Sequence, residues 1–129
     1  KEVADRIISN FNTSKYGRIT ILSNWRLDIK KICDVKSSSF TPRPKVNSSL
    51  LYFKPKHFFF DINNPKNLEK ITRTFFNQRR KMLKKPFNQL FDGNTKIARK
   101  LNINLDLRPQ NLDFETYYKL AEEYEKLRS

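Results

Sequence analysis

The stretch FTPRPKVNSSL places a phenyl ring and two cations on a stiff backbone. Pro42 and Pro44 each fix their own φ and push the residue before them towards extended conformations. Phe40, Arg43 and Lys45 are therefore presented at a small cost in conformational entropy. A ring held in this way beside positive charge could stack on a flat group of an anionic ligand, or it could be a core aromatic under a proline-rich turn. The residues alone leave both interpretations open.

A second set of candidate binding residues lies on a predicted amphipathic helix over residues 67–85. At 100° per residue, one face is apolar and contains Leu68, Ile71, Phe75, Met82 and Leu83. The cations on or beside the opposite face are Lys70, Arg73, Arg80, Lys81, Lys84 and Lys85. We expect Pro86 to end this helix, because the residue before a proline is pushed out of the α region. Arg79 falls on the apolar side, where an unpaired charge is costly, so we expect it to be paired or to reach across an interface.

The charge of the chain is large, positive and unevenly distributed. The 129 residues include 27 Lys and Arg against 13 Asp and Glu, for a net charge of +14. Residues 66–100 carry 11 basic and 2 acidic side chains, whereas residues 101–129 carry 4 and 6. This concentration is typical of a polyanion partner, nucleic acid first and an anionic membrane second. The alternative is a basic face that is merely solvated. No apolar run approaches the roughly 20 residues that span a bilayer, so we expect no membrane span.

The cysteine and histidine content argues against metal and thiol chemistry. The single cysteine, Cys33, cannot form an internal disulfide, which favours a reducing, cytoplasmic compartment. It lies in a strand-like run, and we interpret it as a partly buried small hydrophobe rather than a catalytic thiol. His57 has no partner at a metal-ligand spacing, so we expect no metal site.

The N-terminal half is predicted to contain two helices and two strands. Apolar spacing indicates helices over residues 2–10 and 18–25 and strands over residues 29–35 and 48–53. Two strands are marginally stable by themselves. We therefore expect the chain to be part of a larger protein, and we expect the exposed strands to make this chain self-associate.

A boundary signal follows the second strand. Phe58-Phe59-Phe60 is too apolar for a free linker, yet Asn63-Asn64-Pro65 marks a boundary. We predict a first unit over residues 1–56, a junction over 57–65 and a small all-helical unit over 66–129.

The helical unit is predicted to end in two further helices. After a turn at Asp92-Gly93-Asn94, a short helix covers residues 95–100. Asp113 is a good N-cap for the last helix. The apolar stripe of that helix is Phe114, Tyr117, Ala121 and Tyr124.

Five segments, in this order, resemble one protein family. They are KEVADRI (residues 1–7), SKYGRITIL (14–22), FTPRPKVNSSL (40–50), FFNQRRKML (75–83) and LRPQNL (107–112). Together they resemble the carboxy-terminal half of the small-subunit (16S) rRNA adenine dimethyltransferases. Each motif alone is weak, but five in order at plausible spacings make the resemblance specific, and it covers essentially the whole chain.

The resemblance implies an α+β fold, in which the C-terminal edge of a Rossmann-like methyltransferase domain precedes a small helical domain that recognises rRNA. It implies an enzyme that uses S-adenosylmethionine to place two methyl groups on each of two adjacent adenosines near the 3′ end of small-subunit rRNA. Phe40 matches the family position that stacks on the flipped adenine, and Arg43 and Lys45 are then near phosphates. The implied contacts with rRNA of the small ribosomal subunit are Lys70, Arg73, Arg79, Arg80, Lys81, Lys84 and Lys85. For Arg79, a structural ion pair between the two units is the favoured interpretation.

The sequence departs from the family pattern in what it lacks. Gly17 and Gly93 are its two glycines, and neither lies in a glycine-rich cofactor turn. The family's catalytic tetrapeptide of the Asn-Leu-Pro-Tyr type is also absent. We therefore expect an N-terminal cofactor domain outside this chain, and we expect the chain alone to be inactive.

Two other kinds of assignment stay open: the first is a related family, and the second is a module with no enzymatic parent. The NQRRK block at residues 77–81 resembles the small-subunit family rather than the related large-subunit rRNA methyltransferases of macrolide resistance, although VNSSL at residues 46–50 fits either. The mitochondrial transcription-factor relatives are less favoured. The second assignment is a free-standing basic module that binds RNA or DNA and has no enzymatic parent.

Overall fold

The computed structural model describes residues 2–39 and 47–128, which form short helices and one two-stranded antiparallel sheet. The elements are α1 (Glu2–Ile7), α2 (Arg18–Asn24), β1 (Leu27–Val35), β2 (Ser48–Pro55), α3 (Pro65–Phe76), α4 (Lys84–Phe91), α5 (Thr95–Lys100) and α6 (Phe114–Arg128). Two 3₁₀ turns lie in the connections, at Ser37–Ser39 and Pro109–Asn111. Within the described ranges, none of the helices combines the length and the apolar character that crossing a bilayer requires.

The first two helices are tied together by side chains of α2. Both are confirmed, although they end one to three residues earlier than apolar spacing predicts. The buried Thr20 hydroxyl donates to the carbonyl of Arg6 (2.5 Å) and accepts from the amide of Gly17 (3.1 Å). The Asn24 side chain donates to the carbonyl of Ile7 (2.9 Å). These bonds satisfy carbonyl groups that the end of α1 leaves without an intrahelical partner.

Strands β1 and β2 pair with each other along their full length. Leu27 lies opposite Pro55 and Val35 lies opposite Ser48, with a register irregularity just before Cys33. Both predicted strands are confirmed, and each extends two residues further than predicted. Cys33 is exposed, so the expected partial burial is wrong. The reason is that most side chains of both strands are exposed in this chain.

The hydrophobic core lies among the helices and draws on both halves of the chain. From the N-terminal half it takes Tyr16, Ile21 and Trp25. From the helical half its largest fully buried side chains include Leu68, Ile71, Phe75, Leu83, Phe87, Phe91, Tyr117 and Leu120. Because these residues form one cluster, the core does not divide at residues 57–65. The domain limits drawn there stay a prediction.

The predicted single helix over residues 67–85 is wrong. Seven residues separate the end of α3 from the start of α4. The helical ladder gives way to turns after Phe76, and at the end of the break the amide of Leu83 donates to the distant carbonyl of Leu107 (2.8 Å). Leu83 is buried as predicted, whereas Met82 is 53% exposed instead of lying on the apolar face. A period of 3.6 residues cannot be continued across such a break.

The prediction that Pro86 ends a helix is also wrong, because Pro86 lies in the first turn of α4. A proline fits there, since the first amides of a helix have no intrahelical acceptor and a φ near −65° suits the helix. Helix α3 begins in the same way, with Pro65 as its first residue. Its N-cap is Asn64, whose side chain accepts from the amide of Lys66 (3.0 Å).

The C-terminal elements match their predictions. The turn at Asp92-Gly93-Asn94 has positive φ at Asp92 (52°) and Gly93 (73°), and α5 covers the predicted residues. Asp113 caps α6, because its Oδ1 accepts from the amide of Thr116 (3.0 Å). In the predicted stripe, Tyr117, Ala121 and Tyr124 are buried and Phe114 is half-buried.

Glu125, near the end of α6, holds the start of α3. Its carboxylate accepts from the amides of Asn63 (3.0 Å) and Asn64 (2.7 Å) and from the side chain of Asn67 (2.8 Å). Burial by itself would raise the pKa of Glu125, but these hydrogen bonds lower the pKa below its ordinary value. The contact fixes the direction in which α3 leaves the preceding loop.

Candidate nucleic-acid interface

The predicted basic face survives the helix break as an exposed cationic surface on three consecutive segments. Lys70 and Arg73 lie on α3, Arg80 and Lys81 lie in the turn after it, and Lys85 lies in the first turn of α4, and all five are exposed. Helices α3 and α4 pack on each other, so these segments are neighbours in space. We call these five residues the basic face.

Unlike several other basic residues of the chain, the members of the basic face form no ion pair with a described carboxylate. Lys84, which sequence reasoning placed with them, forms an ion pair with Asp106 (3.0 Å). Lys100 of α5 likewise pairs with Glu123 (2.6 Å). Within residues 2–39 and 47–128, no carboxylate lies within ion-pair distance of the five. Lys70 instead lies over the ring of Tyr124, 5.5 Å from its centroid. The basic face is therefore available to an external anion.

Arg79 faces the other way and binds the backbone of the N-terminal half. Its guanidinium donates to the carbonyls of Tyr16 (2.6 Å), Ser14 (2.7 Å) and Thr13 (3.2 Å). Burial and the nearby charge of Arg6 lower the pKa of Arg79 from its ordinary value. Arg79 therefore links the two halves of the chain, as the favoured interpretation expects. Its partners, however, are backbone carbonyls and not the carboxylate of an ion pair.

The segment that Arg79 holds contains a buried tyrosine. Tyr16 is fully buried, and its ring packs against Phe76 (6.2 Å between centroids) and Phe114 (5.7 Å). Burial, with the charges of Tyr118 and Asp113 adding to it, raises the pKa of the Tyr16 phenol well above its usual range. The buried ring of Tyr16 therefore fixes the position of this segment, and with it the three carbonyls that accept from Arg79.

The stretch that contains Phe40, Arg43 and Lys45 lies outside the described residues, so their predicted roles stay predictions. The structure does describe both ends of this segment. Val35 at the end of β1 lies opposite Ser48 at the start of β2. The amide of Ser37 donates to the side chain of Asn47 (2.9 Å), and the Ser49 hydroxyl donates to Asp34 (2.6 Å). The described residues on either side of this stretch are therefore held together by paired strands and side-chain hydrogen bonds.

Neither glycine of this chain forms a cradle for a nucleoside cofactor. Gly17 is the N-cap of α2, and a Cβ built on it would meet the guanidinium of Arg79 at 3.6 Å. Gly93 lies in the turn between α4 and α5 with a left-handed φ of 73°. The space beside Gly17 is thus occupied by this chain's own side chain, and neither glycine belongs to a glycine-rich turn of the kind that cradles a nucleoside cofactor. In the part of the chain that the structure describes, no three metal-ligating side chains come together either.

Sequence reasoning missed an aromatic cleft beside the end of α2. Trp25, Phe59 and Phe60 line it, together with side chains from α6. Arg26 lies over two of these rings, with its guanidinium carbon 4.4 Å from the centroid of Trp25 and 4.7 Å from that of Phe59. The signal in the sequence is the run Phe58-Phe59-Phe60, which is more apolar than its position between two elements explains.

Comparison with known proteins gives one family. The family model described as "Ribosomal RNA adenine dimethylase" matches residues 1–126. The chain is 65% identical over 128 residues to the "Ribosomal RNA small subunit methyltransferase A" of Pelagibacter ubique (strain HTCC1062), covering 99% of this chain and 49% of that protein. Proteins with the same name from Prochlorococcus marinus (strain AS9601) and Ehrlichia ruminantium (strain Gardel) are each 39% identical, with 99% and 94% of this chain covered and 48% and 46% of theirs. The chain spans about half the length of these curated relatives.

Two solved structures share the fold. A dimethyladenosine transferase from Plasmodium falciparum superposes with a TM-score of 0.77 at 27% identity, covering 98% of this chain and 55% of that one. The 23S rRNA methyltransferase ErmE superposes with a TM-score of 0.61 at 15% identity, covering 96% and 51%. At that identity the second likeness concerns the fold alone.

Proposed function

The chain belongs to the ribosomal RNA adenine dimethylase family, and we propose that it is the rRNA-recognising half of an enzyme that dimethylates adenosines of small-subunit rRNA. The methyl donor in this proposal is S-adenosylmethionine. The targets are two adjacent adenosines near the 3′ end of that rRNA, each methylated twice on its exocyclic amine. The chain spans about half the length of its relatives, and neither of its glycines lies in a glycine-rich cofactor turn. We therefore assign cofactor binding to the half that this sequence does not match.

One observation carries the proposal: the basic face is exposed and has no carboxylate partner among the described residues. A cation left without an internal partner keeps its capacity to neutralise a phosphate. Folded RNA is recognised largely through its shape and backbone, so a cationic face on two packed helices suits it. Lys84 and Arg79 already have internal partners, and we leave both out of the proposed RNA contacts.

We propose that this half of the enzyme holds the target adenine in position for methylation. Methylation of an exocyclic amine requires the adenine to leave its stack, which costs a few kcal/mol. Stacking on an aromatic ring offsets about 1–3 kcal/mol of that cost. We propose that Phe40 supplies the ring and that Arg43 and Lys45 bind the adjacent phosphates.

The large-subunit alternative is less well supported. The names of the curated relatives refer to the small subunit, and the likeness to the 23S rRNA methyltransferase concerns the fold alone. The NQRRK block also resembles the small-subunit family. We therefore propose rRNA of the small subunit as the partner.

Charge reversal on the basic face tests the proposal. The variant Arg73→Glu with Arg80→Glu should bind purified small ribosomal subunits more weakly than wild type, with the far-ultraviolet circular dichroism unchanged. The dependence of log affinity on log salt should become shallower, by about one unit for each phosphate that the variant no longer neutralises. The matched control is Lys96→Glu with Arg99→Glu, two exposed residues of α5 outside the basic face, which changes the net charge by the same amount. If both variants lose the same affinity and the same salt slope, the binding reflects net charge and the assigned face is wrong.

A further inference from the structure

We propose that the aromatic cleft beside α2 is a second RNA site, which binds one unpaired nucleobase. The proposal rests on the proposed function in that it takes RNA as the partner, but it concerns a different surface from the basic face. The cleft has a volume of about 480 Å³. Its walls come from three parts of the chain: Trp25 after α2, Phe58 and Phe59 after β2, and Phe114 and Tyr118 of α6.

The back wall of the cleft is held in place before any ligand arrives. The indole of Trp25 is buried and donates to the carbonyl of Phe60 (2.7 Å). The hydroxyl of Tyr118 donates to the carbonyl of Ile21 (2.6 Å), and its ring stacks on that of Phe114 with an interplanar angle of 12°. Rings fixed by hydrogen bonds lose little further freedom when a ligand binds, so they form a preorganised surface.

Phe58 stands at this cleft as an almost uncovered ring. It is 92% exposed, the highest exposure among the large hydrophobic side chains of the described residues. A single exposed ring is ordinary, but contiguous exposed apolar patches mark sites of interaction, and Phe58 adjoins Phe59, which is 43% exposed. Because most of the other residues that line the cleft are also aromatic, Phe58 adds an exposed ring to a surface on which a flat ligand can stack.

Basic side chains at the cleft favour an anionic group of a ligand. The guanidinium of Arg26 lies over the rings of Trp25 and Phe59, and the structure gives it no carboxylate partner among the described residues. Lys56 lines the cleft, and its ammonium donates to the carbonyl of Asn24 (2.5 Å), which leaves further N–H groups to donate. An arginine held on aromatic rings beside a lysine is suited to a phosphate group.

A carboxylate also lines the cleft. It belongs to Glu115, one of whose oxygens pairs with Lys119 (3.0 Å). A carboxylate repels phosphate but accepts hydrogen bonds from the exocyclic amine of a base. We therefore assign the phosphate to Arg26 and Lys56 and the exocyclic amine of the base to Glu115. Aromatic rings, two cations and an acceptor together match a nucleotide of a single strand.

Fluorescence of Trp25 offers a direct test, because Trp25 is the only tryptophan of the chain and lines the cleft. The probe is a single-stranded RNA of about 12 nucleotides, compared with an abasic ribose-phosphate chain of equal length and charge. We expect the RNA to quench Trp25 and the abasic chain not to. In fluorescence anisotropy, Phe58→Ala should weaken RNA binding by about 5- to 100-fold and leave binding of the abasic chain unchanged.

Two variants serve as controls. Phe58→Tyr keeps a π-face and should bind like wild type. Phe11→Ala removes another exposed phenyl ring, which is 44% exposed and lies outside the cleft, and it should also bind like wild type. Because Phe58 is exposed, its alanine variant should melt at the wild-type temperature.

The outcomes separate this proposal from the proposed function. If wild type and Phe58→Ala bind the RNA equally and Trp25 is not quenched, the nucleobase site is refuted while RNA binding by the basic face stands. If the wild-type chain binds neither RNA nor abasic chain, both proposals fail. If Phe58→Ala instead weakens binding to phosphatidylserine vesicles and leaves RNA binding unchanged, the occupant is a lipid surface and the nucleobase site is refuted.

Discussion

Replacing Arg79 by alanine removes the three hydrogen bonds that join the turn after α3 to the segment before α2. The carbonyls of Thr13 and Ser14 are exposed and can bind water instead, so removing their donor has a small effect. The carbonyl of Tyr16 is partly buried, and an unsatisfied acceptor there costs about 1–3 kcal/mol. The guanidinium also lies 5.7 Å from the ring of Phe76, which adds about 0.5–1 kcal/mol. We expect Arg79→Ala to lower the free energy of unfolding by about 2–4 kcal/mol.

Urea denaturation followed by circular dichroism measures this decrease. With an m-value of about 2 kcal/mol per molar, the midpoint should fall by about 1–2 M. Arg79→Lys keeps the charge but offers a smaller donor group, and its stability should fall by about half as much as that of the alanine variant. The matched control is Arg80→Ala, the next residue and an exposed member of the basic face, which should change stability by less than about 0.5 kcal/mol.

The effects of the two alanine variants on RNA binding should be the reverse of their effects on stability. Arg80→Ala should weaken binding to small ribosomal subunits with stability unchanged, because the contact that we propose for Arg80 is with RNA and not with the rest of the chain. Arg79→Ala, assayed well below its melting temperature, should bind nearly as wild type does. Equal decreases in stability for the two alanine variants would refute the assignment of Arg79 to the carbonyls of the N-terminal half.

Three further predictions concern other parts of the chain. Glu125→Gln should destabilise the protein at pH 7, and the difference from wild type in urea denaturation should shrink as the pH falls below about 4. A carboxyl whose pKa is lowered in the folded state stabilises it above its unfolded pKa, and that contribution is lost as the pH falls through the folded pKa. In a complete enzyme, Phe40→Ala should slow methylation by about one to two orders of magnitude with little change in cofactor affinity or melting temperature. This chain alone should self-associate in light scattering, because Leu50 and Tyr52 of β2 are about half exposed on a two-stranded sheet.

Each of these predictions has an outcome that contradicts it. A difference between wild type and Glu125→Gln that stays constant from pH 7 to about pH 3 would show that the carboxylate charge does not matter. An enzyme in which Phe40→Ala melts earlier but turns over normally at low temperature would make Phe40 a core residue. If light scattering gives the molar mass of a single chain at every concentration, the exposed strands do not associate.

Several features of this protein could be predicted from local sequence because their causes lie within one or two helical turns. The cap at Asp113, the turn around Gly93 and the short helix α5 depend on neighbouring residues, and the structure has them where the sequence places them. The uneven positive charge also follows from composition. The family resemblance rests on motif order along the chain, and the family match over residues 1–126 confirms it.

The break between α3 and α4 could not be found in this way. Pro86 obeys the same local rules whether it follows the end of one helix or occupies the first turn of the next. A distant contact accompanies the break, because the carbonyl of Leu107 accepts from the amide of Leu83, which lies 24 residues earlier in the chain. The periodicity of the apolar residues contains no information about that acceptor. A prediction from periodicity therefore makes the helix too long and places Met82 on the buried face.

The partners of Arg79 and the aromatic cleft depend on contacts that are still more distant. Arg79 reaches carbonyls more than 60 residues earlier in the chain, and Trp25 shares a cleft with Tyr118 of α6. Sequence spacing shows that Arg79 requires a partner, since an unpaired charge on an apolar face is unfavourable. Which groups satisfy it is decided only when the core around Tyr16 brings the two halves together, because hydrogen bonds and ring contacts act over a few ångströms of space and not along the chain.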